Sequence, residues 1–518
     1  MTVAATPPAR PVSTMIRGTI AKYCLLACTL VTGILLMPFT LHHLGPARYG
    51  LWMLVVTMTG YLQLLDAGYA NGLVRHLVEA EAHQDTARLN RLINTFFCVY
   101  AVIGVLAGTV GMALAWLVVP RFPSLTPDEV RTGQWLTAIL AGRVAIGFPM
   151  TVFGAVSFAR QGFTRNTIIA VAVSLLNAAA TWLVLSRGGG LLLLVATTTA
   201  INLLSYVAYA GTARQLCPEM RIDPRLFDRG EWRQVTIFSA YLFVIDVAVQ
   251  VGFNLDNIVI GATLGTTAVG VYAVALRLTE YQRRVCDQFS DIVFAHASSV
   301  HDRGDREGLR ATFLESTRIA VLLGAGAALG LIAFGRPLVH VWMGPGLEAS
   351  IPALMALACA TTVVVSHAPL ANVLMASGSH RRVAAVWVTE SAANLCLSLL
   401  WVRQYGLTGV ALGTAIPVVI GHLGVLFPTV CRTVGVSLGT ALRETALPAA
   451  LAVAPAALLA AWLSTTQIHD GGGALALRAL SVALVYALSV VFVGLTPERR
   501  GVYLTHLRDA IRLRLSTT

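Results

Sequence analysis

Charge is scarce in this chain. Only 12% of its 518 residues are Asp, Glu, Lys or Arg, whereas soluble domains carry roughly 25%. That shortage excludes a water-soluble protein of this size. Lysine is almost absent: Lys22 stands alone, and arginine carries nearly all of the positive charge. No G-x-x-x-x-G-K-[ST] segment occurs, so the chain has no phosphate-cradling loop of an ATPase; if it moves something, the energy comes from an ion gradient, the membrane potential or the substrate's own gradient. Long polar loops are also missing. The longest loop expected on the outer face, 120–134, has fifteen residues, too little mass to build an extramembrane catalytic site. The eight cysteines fall in apolar spans or on the expected inner side, which excludes an external disulfide framework. Cys24 and Cys28 share one face of the first span, but nothing beside them completes a metal site. No catalytic constellation, metal site or cofactor site is assigned.

What fills the chain instead is apolar. The hydrophobic fraction is 56% and the mean hydropathy +0.72. The apolar runs are about 20 residues long, enough to cross a hydrocarbon core of about 30 Å as helix. They mark an all-α integral membrane protein with about fourteen transmembrane helices. The N-tail, 1–18, leads into a first helix expected to be retained, because no small-residue cleavage site follows it. An N-terminal lobe of six spans occupies 19–213, a polar arginine-rich linker 214–235, and a second lobe of six spans 236–431. A loop and two extra C-terminal helices fill 432–494, and a basic tail closes the chain at 495–518.

The net charge of +12 does not point to nucleic acid. Of the 37 basic residues, only seven lie in the loops of one side, and most of the others collect in the tails and the alternate loops. Cytoplasmic loops are the ones that accumulate Lys and Arg. The bias therefore places both termini in the cytoplasm and requires an even number of spans.

Two connectors share a skeleton. "LHHLGPARYGLW" (41–52) carries Leu44, Gly45 and Gly50, and "TLGTTAVGVY" (263–272) repeats them 220 positions later as Leu264, Gly265 and Gly270. The offset survives into the next inner loop, where His76, Asp85 and Leu89 match His296, Asp305 and Leu309. At an offset of 216, Gly162 and Arg165 match Gly378 and Arg381. Six spans per copy is an even number, so both lobes run through the membrane in one sense. That predicts two lobes related by a pseudo-two-fold along the membrane normal, the parallel kind of transporter repeat. Gly45 and Gly265 are expected to make a tight turn, with Gly50 and Gly270 at the start of the following helix.

Polar residues inside spans are costly in lipid and mark cavities or partners. In the seventh span Asp246, Gln250, Asn254 and Asn257 follow one another at helical spacing on one face. A cavity lining explains the row better than interhelical packing does. In the eighth span Arg277, Tyr281 and Arg284 share a face; Arg277 is a candidate to hold an anionic head group, and Arg284 fits the inner interface. Arg143 in the fourth span is the deepest basic residue and has the strongest claim to a substrate cavity. The substrate-cavity set is thus Arg143, Asp246, Gln250, Asn254, Asn257, Arg277 and Tyr281. Asp246 and Glu390 are the carboxylates placed for proton or ion coupling, with His367 and His422 as weaker candidates.

With those residues in view, the chain resembles the bacterial polysaccharide-biosynthesis family of oligosaccharide flippases. That family shares a superfamily with the multidrug and toxin extruders and the lipid II flippases. The likeness is carried by Leu44-Gly45 with Tyr49-Gly50-Leu51-Trp52, by "LLDAGYANGLVR" (64–75), by "LDNIVIGATLGTTAVGVYAVALRL" (255–278) and by "VWMGP" (341–345). It covers roughly residues 18–435. One departure stands out: a proline common near the inner end of span 8 is replaced by Phe294-Ala295-His296. The resemblance implies a non-enzymatic flippase in the bacterial inner membrane that moves a lipid-linked oligosaccharide, a polyprenyl pyrophosphate bearing sugars. Its partners would be membrane lipids and the polymerase and chain-length machinery of polysaccharide assembly. A lipid II-type flippase and a cation or drug antiporter remain the neighbouring alternatives, and a membrane sugar polymerase or ligase the distant one.

Overall fold

The computed structural model describes residues 12–66, 68–376, 380–465, 472–494 and 500. Side chains are described for these except 12–23, 238–254 and scattered positions, chiefly within 285–302 and 369–381. Every regular element among the described residues is helical. The fourteen α-helices are α1 (Val12–Gly60), α2 (Tyr69–Ala82), α3 (Thr86–Ala113), α4 (Pro127–Ala159), α5 (Phe163–Ser186), α6 (Leu191–Leu216), α7 (Arg229–Thr263), α8 (Thr266–Asp302), α9 (Arg306–Met343), α10 (Ile351–Ala376), α11 (His380–Val419), α12 (Phe427–Val434), α13 (Leu438–Thr465) and α14 (Gly472–Ser489).

Helices and membrane crossings do not correspond one to one. Ten helical segments are long and apolar enough to cross, and two of them, Cys24–Asp66 and Arg382–Val434, run 43 and 53 residues. Each of these two is broken by a glycine at positive φ, Gly45 (φ 77°) and Gly406 (φ 57°), and each supplies two crossings. A Cβ disfavours that left-handed backbone, which is why glycine occupies both kinks. Among the described residues α7 and α8, at 35 and 37 residues, are long enough to cross but are not among these ten. Large apolar side chains such as Val105, Val207 and Leu458 stand outward, 72%, 67% and 73% exposed, as helices facing lipid require.

The chain divides into two compact units, Met1–Gly270 and Val271–Thr518. The core of the first is built on rings: Tyr69, Phe96, Tyr100 and Phe148 form a chain of contacts, with Tyr100 stacked on Phe148 at 6.1 Å. Small residues let α3 and α4 approach closely. A Cβ at Gly104 would collide with the Ala145 carbonyl oxygen, and one at Gly111 with the Ala141 methyl. Close backbone approach through glycine and alanine is how membrane helices gain packing when lipid removes the hydrophobic drive.

The 214–235 linker is tied down. Asn94, 1% exposed, donates to the Arg221 carbonyl at 2.7 Å and accepts from the Asp223 amide at 2.7 Å. One turn earlier Asn90 treats the Glu219 carbonyl and the Arg221 amide the same way, at 3.1 and 2.8 Å. Thr95 accepts from the Asp228 amide at 2.9 Å. The ends of α2, α3, α4 and α7 are then cross-linked by charge: Arg88 reaches Glu79 and Glu231, while Arg160 reaches Glu81 and Glu219.

The second unit packs Phe313 against Phe427, with Leu374, Val383 and Val430 fully buried around them. Its α11 folds back at Gly406, and Asn394 Oδ1 accepts from both Ser398 (2.8 Å) and Thr414 (3.3 Å), joining the two arms.

The repeated loop is built twice in atomic detail. Asp85 caps α3 by accepting from the Arg88 amide at 2.8 Å, and Asp305 caps α9 by accepting from the Gly308 amide at 2.8 Å. The residue before each cap is left-handed, Gln84 (φ 53°) and Gly304 (φ 69°). The amides of Asp85 and Asp305 return to the carbonyls of Ala80 and Val300. The further match at Gly378 lies outside the described residues.

Candidate functional site

The first unit holds a cavity of about 690 Å³, lined among others by Gln63, Asp66, Arg143, Thr151, Tyr206 and Tyr209. Its floor is α4. Arg143 stands at the midpoint of that helix, with Gly147 and Thr151 one and two turns further along the same face. Ala141 and Ala145 face α3 instead, so the close α3–α4 packing turns Arg143 toward the cavity. Gly147 is needed where it is: a Cβ there would lie 2.7 Å from Tyr206 Oη.

Asp66 ends a short 3₁₀ turn, Tyr61–Asp66, and two residues later Gly68 (φ 72°) starts α2. This break aims the carboxylate into the cavity rather than along the helix. Tyr100, fully buried, donates to Asp66 Oδ1 at 2.5 Å, and the Ala70 amide approaches Oδ2 at 3.4 Å. Arg143 has no carboxylate partner among the described residues, leaving its five-donor fork free to engage an anionic or hydroxylated ligand. A guanidinium, a fixed carboxylate, an amide and two phenols converge on one space. Such a surface suits phosphate oxygens and sugar hydroxyls, with phenol rings offering apolar faces.

The second unit brings together a buried acid and two imidazoles. Glu390 Oε2 lies 3.7 Å from His422 Nε2, and the rings of His422 and His367 meet edge to face at 5.5 Å. His367 Nδ1 donates to the Val363 carbonyl at 2.8 Å, which leaves its Nε2 as an acceptor. That atom, His422 Nδ1 and Glu390 Oε1 are buried and have no hydrogen-bond partner. Buried polar atoms are normally satisfied, so the cluster holds unused proton-binding capacity. Two local features create it. Gly421 leaves room that a Cβ would deny to Glu390 Oε1, and His422 sits in a π-helical segment, Ile420–Leu426, of the kind that concentrates at functional positions.

The other expected site residues are placed differently. Asn257 is 4% exposed and donates to Thr57 Oγ1 at 2.9 Å, an interhelical bond within the first unit. Beside it the buried Asp256 lies within electrostatic reach of Tyr61, a relationship no spacing rule suggests. Arg277 donates to Glu280 at 2.7 Å, and Glu280 also receives Arg284, so these three form a local ion cluster on α8. Tyr281, next along the helix, is half-buried. Asp246, Gln250 and Asn254 lie along α7, and their side chains are outside the described residues. Asp66 was legible as a motif residue but not as a cavity residue. Tyr206, Tyr209 and Gln63 carried no sequence signal beyond being polar in apolar runs.

These helices and cavities define a polytopic membrane protein with the fold of the transporters that include MurJ and the MATE extruders. The chain is similar to the lipid II flippase MurJ in an inward closed conformation, with a TM-score of 0.72 at 14% identity over 92% of this chain and 98% of that one. It is similar also to an inward-facing MATE-family multidrug transporter of the MOP superfamily, with a TM-score of 0.65 at 14% identity over 81% and 98% of the two chains. The chain belongs to the polysaccharide biosynthesis protein family, whose model matches residues 43–352. A curated relative from Haloferax volcanii, named "Probable low-salt glycan biosynthesis flippase Agl15", is 21% identical over 184 residues. That match spans 36% of this chain and 39% of the relative's length.

Proposed function

We propose that this protein turns a polyprenyl-pyrophosphate-linked oligosaccharide from the inner to the outer leaflet of the bacterial cytoplasmic membrane. It would do so by alternating access of its two lobes, without covalent chemistry and with both termini in the cytoplasm. The observation that carries the reading is the cavity in which Arg143 opens beside Asp66, Gln63, Tyr206 and Tyr209, in a chain of the polysaccharide biosynthesis protein family. A cation extruder needs carboxylates to dominate such a space, whereas here a guanidinium lies at its centre. Arg143 binds the pyrophosphate or an acidic sugar, and the two tyrosines pack on sugar faces. Glu390, with His422 and His367, takes up and releases the coupling proton; Asp246 is the second carboxylate assigned to that role. The product would pass to polymerase and chain-length machinery on the far side.

The test is direct. In proteoliposomes a fluorescent polyprenyl-pyrophosphate glycan should cross between leaflets at a rate proportional to the protein present. If that lipid stays on its original leaflet while a lipid II analogue or an organic cation is carried, the substrate assignment is wrong and a neighbouring member of the superfamily is the better model.

A further inference from the structure

Away from these sites, the last two helices and α9 enclose a second basic space. A cavity of about 760 Å³ is lined by Arg318, Arg443, Glu444, Phe492 and Arg500, at the N-terminal end of α13. Three guanidiniums therefore face one carboxylate. Arg318 is only 5% exposed; it donates to the Glu444 carbonyl and stands 3.8 Å from that residue's carboxylate. Arg500 lies over the Phe492 ring at 5.1 Å and donates to the Phe492 carbonyl at 2.7 Å, while its buried Nε has no partner. Ser437 accepts from the Thr440 amide at 3.1 Å and so caps α13, whose positive end adds to the field.

This basic space meets an apolar groove. One helical turn beyond Arg318, Leu322 begins a groove of about 1020 Å³ running between α9 and α14. Small residues open part of it, Gly326 and Gly330 on α9 and Ala479 and Ala483 on α14, among larger apolar side chains such as Phe334 and Trp342. Just past α14, in the π-helical segment Val490–Gly494, the continuity is residue to residue, since Val491 lines the groove and Phe492 the basic cavity.

We propose that this composite site binds an anionic glycerophospholipid, with its phosphate among Arg318, Arg443 and Arg500 and an acyl chain along the α9–α14 groove. Charge complementarity selects the head, since three arginines against one glutamate leave net positive charge that a zwitterionic head satisfies poorly. The adjoining groove selects a chain-bearing phosphate over a free one, because burying methylenes is favourable at about 0.8 kcal/mol per CH₂. Arg443 lies in the second turn of α13, near the end that the charge bias of the sequence assigns to the arginine-rich face, where anionic lipid is abundant enough to fill a site of modest affinity. This proposal does not rest on the transported substrate, and its test measures no transport.

Delipidated full-length protein in neutral detergent is titrated with phosphatidylglycerol or phosphatidylcholine, and retained lipid is counted by native mass spectrometry. Phosphatidylglycerol should be retained in preference, and Arg443→Gln and Arg500→Gln should each weaken retention about fivefold. Ala483→Trp, which fills the groove without touching charge, should reduce retention of both lipids and leave the melting temperature near that of the parent. Equal retention of phosphatidylglycerol by the Arg443→Gln/Arg500→Gln double variant would overturn the proposal. So would competition by inorganic phosphate as effective as that by the lipid, which would mark a free-phosphate site. Displacement of phosphatidylglycerol by an equimolar polyprenyl pyrophosphate would overturn it too, by assigning the site to the carrier lipid.

Discussion

Gly50 and Gly270 cross at backbone contact: a Cβ on Gly50 would lie 2.7 Å from the Gly270 amide nitrogen and would overlap the Thr266 carbonyl oxygen. Reciprocally, a Cβ on Gly270 would overlap the Pro46 carbonyl. The two glycines of the repeated connector thus do more than mark a duplication. They form one side-chain-free crossing between the second arm of α1 and the start of α8, within the first unit. Gly45 is different, because a Cβ there meets nothing and only its φ of 77° calls for glycine.

This difference is measurable. Gly50→Ala and Gly270→Ala must push two backbones apart, and overpacking of this kind costs about 1–3 kcal/mol. Gly45→Ala strains one residue without a clash, at about 1 kcal/mol. Thermal unfolding of the detergent-solubilised variants should rank Gly45→Ala above both crossing variants. A Gly50→Ala protein as stable as its parent would show that the crossing does not form in the membrane.

Arg143 is expected to matter through its fork and not only its charge. Charge-assisted hydrogen bonds contribute about 1.5–3 kcal/mol, so Arg143→Ala should slow lipid-linked glycan flipping by about tenfold or more. Arg143→Lys keeps the charge without bidentate geometry and should fall between. Equal rates for all three proteins would remove Arg143 from the site.

Coupling through Glu390 predicts a change in pH profile rather than in folding. Glu390→Gln preserves shape next to Gly421 but cannot exchange a proton, so turnover should lose most of its pH dependence. His422→Gln should act in the same direction, because His422 Nε2 is the nitrogen 3.7 Å from the carboxylate. An unaltered pH–rate curve in Glu390→Gln proteoliposomes would count against proton coupling at this cluster.

The linker clamp makes a stability prediction. Asn94→Ala removes both bonds to the Arg221 and Asp223 backbone and leaves those groups unpaired near a buried position. A loss of about 2–3 kcal/mol follows. It should appear as a lower melting temperature and faster proteolysis within 217–228. Cleavage at the parental rate would mean that the linker is held elsewhere.

The charges on the same face add a pH dependence of known sign. The Arg88 guanidinium is the main influence holding the Glu79 carboxyl below its ordinary range. A carboxylate depressed on folding contributes stability above its unfolded pKa and loses it as pH falls through the folded value. Acidification below about pH 4 should therefore loosen this face, and the Arg88→Gln variant should show a smaller change in melting temperature over that interval.

Much of the fold was legible because membrane insertion constrains composition so strongly. Helix count, the break at Gly45 and the turn at Gly265 followed from apolar length and from glycine between apolar runs. The Asp85 and Asp305 caps lay within the repeat that the 220-residue offset exposed. Site residues were less legible. Helical spacing aligned Asp246, Gln250, Asn254 and Asn257, but spacing cannot tell a wet face from a packed one, and Asn257 proved to be bonded to Thr57. Spacing set Arg277 on one face with Tyr281 and Arg284 and made it a candidate for an anionic head group, yet Glu280, three residues away, already receives it.

By itself, then, the sequence determined an all-helical membrane protein, its crossings, its repeated connector and its family, because each depends on local composition or chain order. Only the tertiary structure decided which polar groups meet. Asp66 and Arg143 line one cavity from 77 positions apart, and Glu390 meets His422 across 32. Those pairings depend on where glycine and alanine let two helices touch, on a 3₁₀ turn at Tyr61–Asp66 and on a π-helical turn at Ile420–Leu426. Each shifts a side chain by a fraction of a helical turn, and no hydrophobic period records a displacement that small.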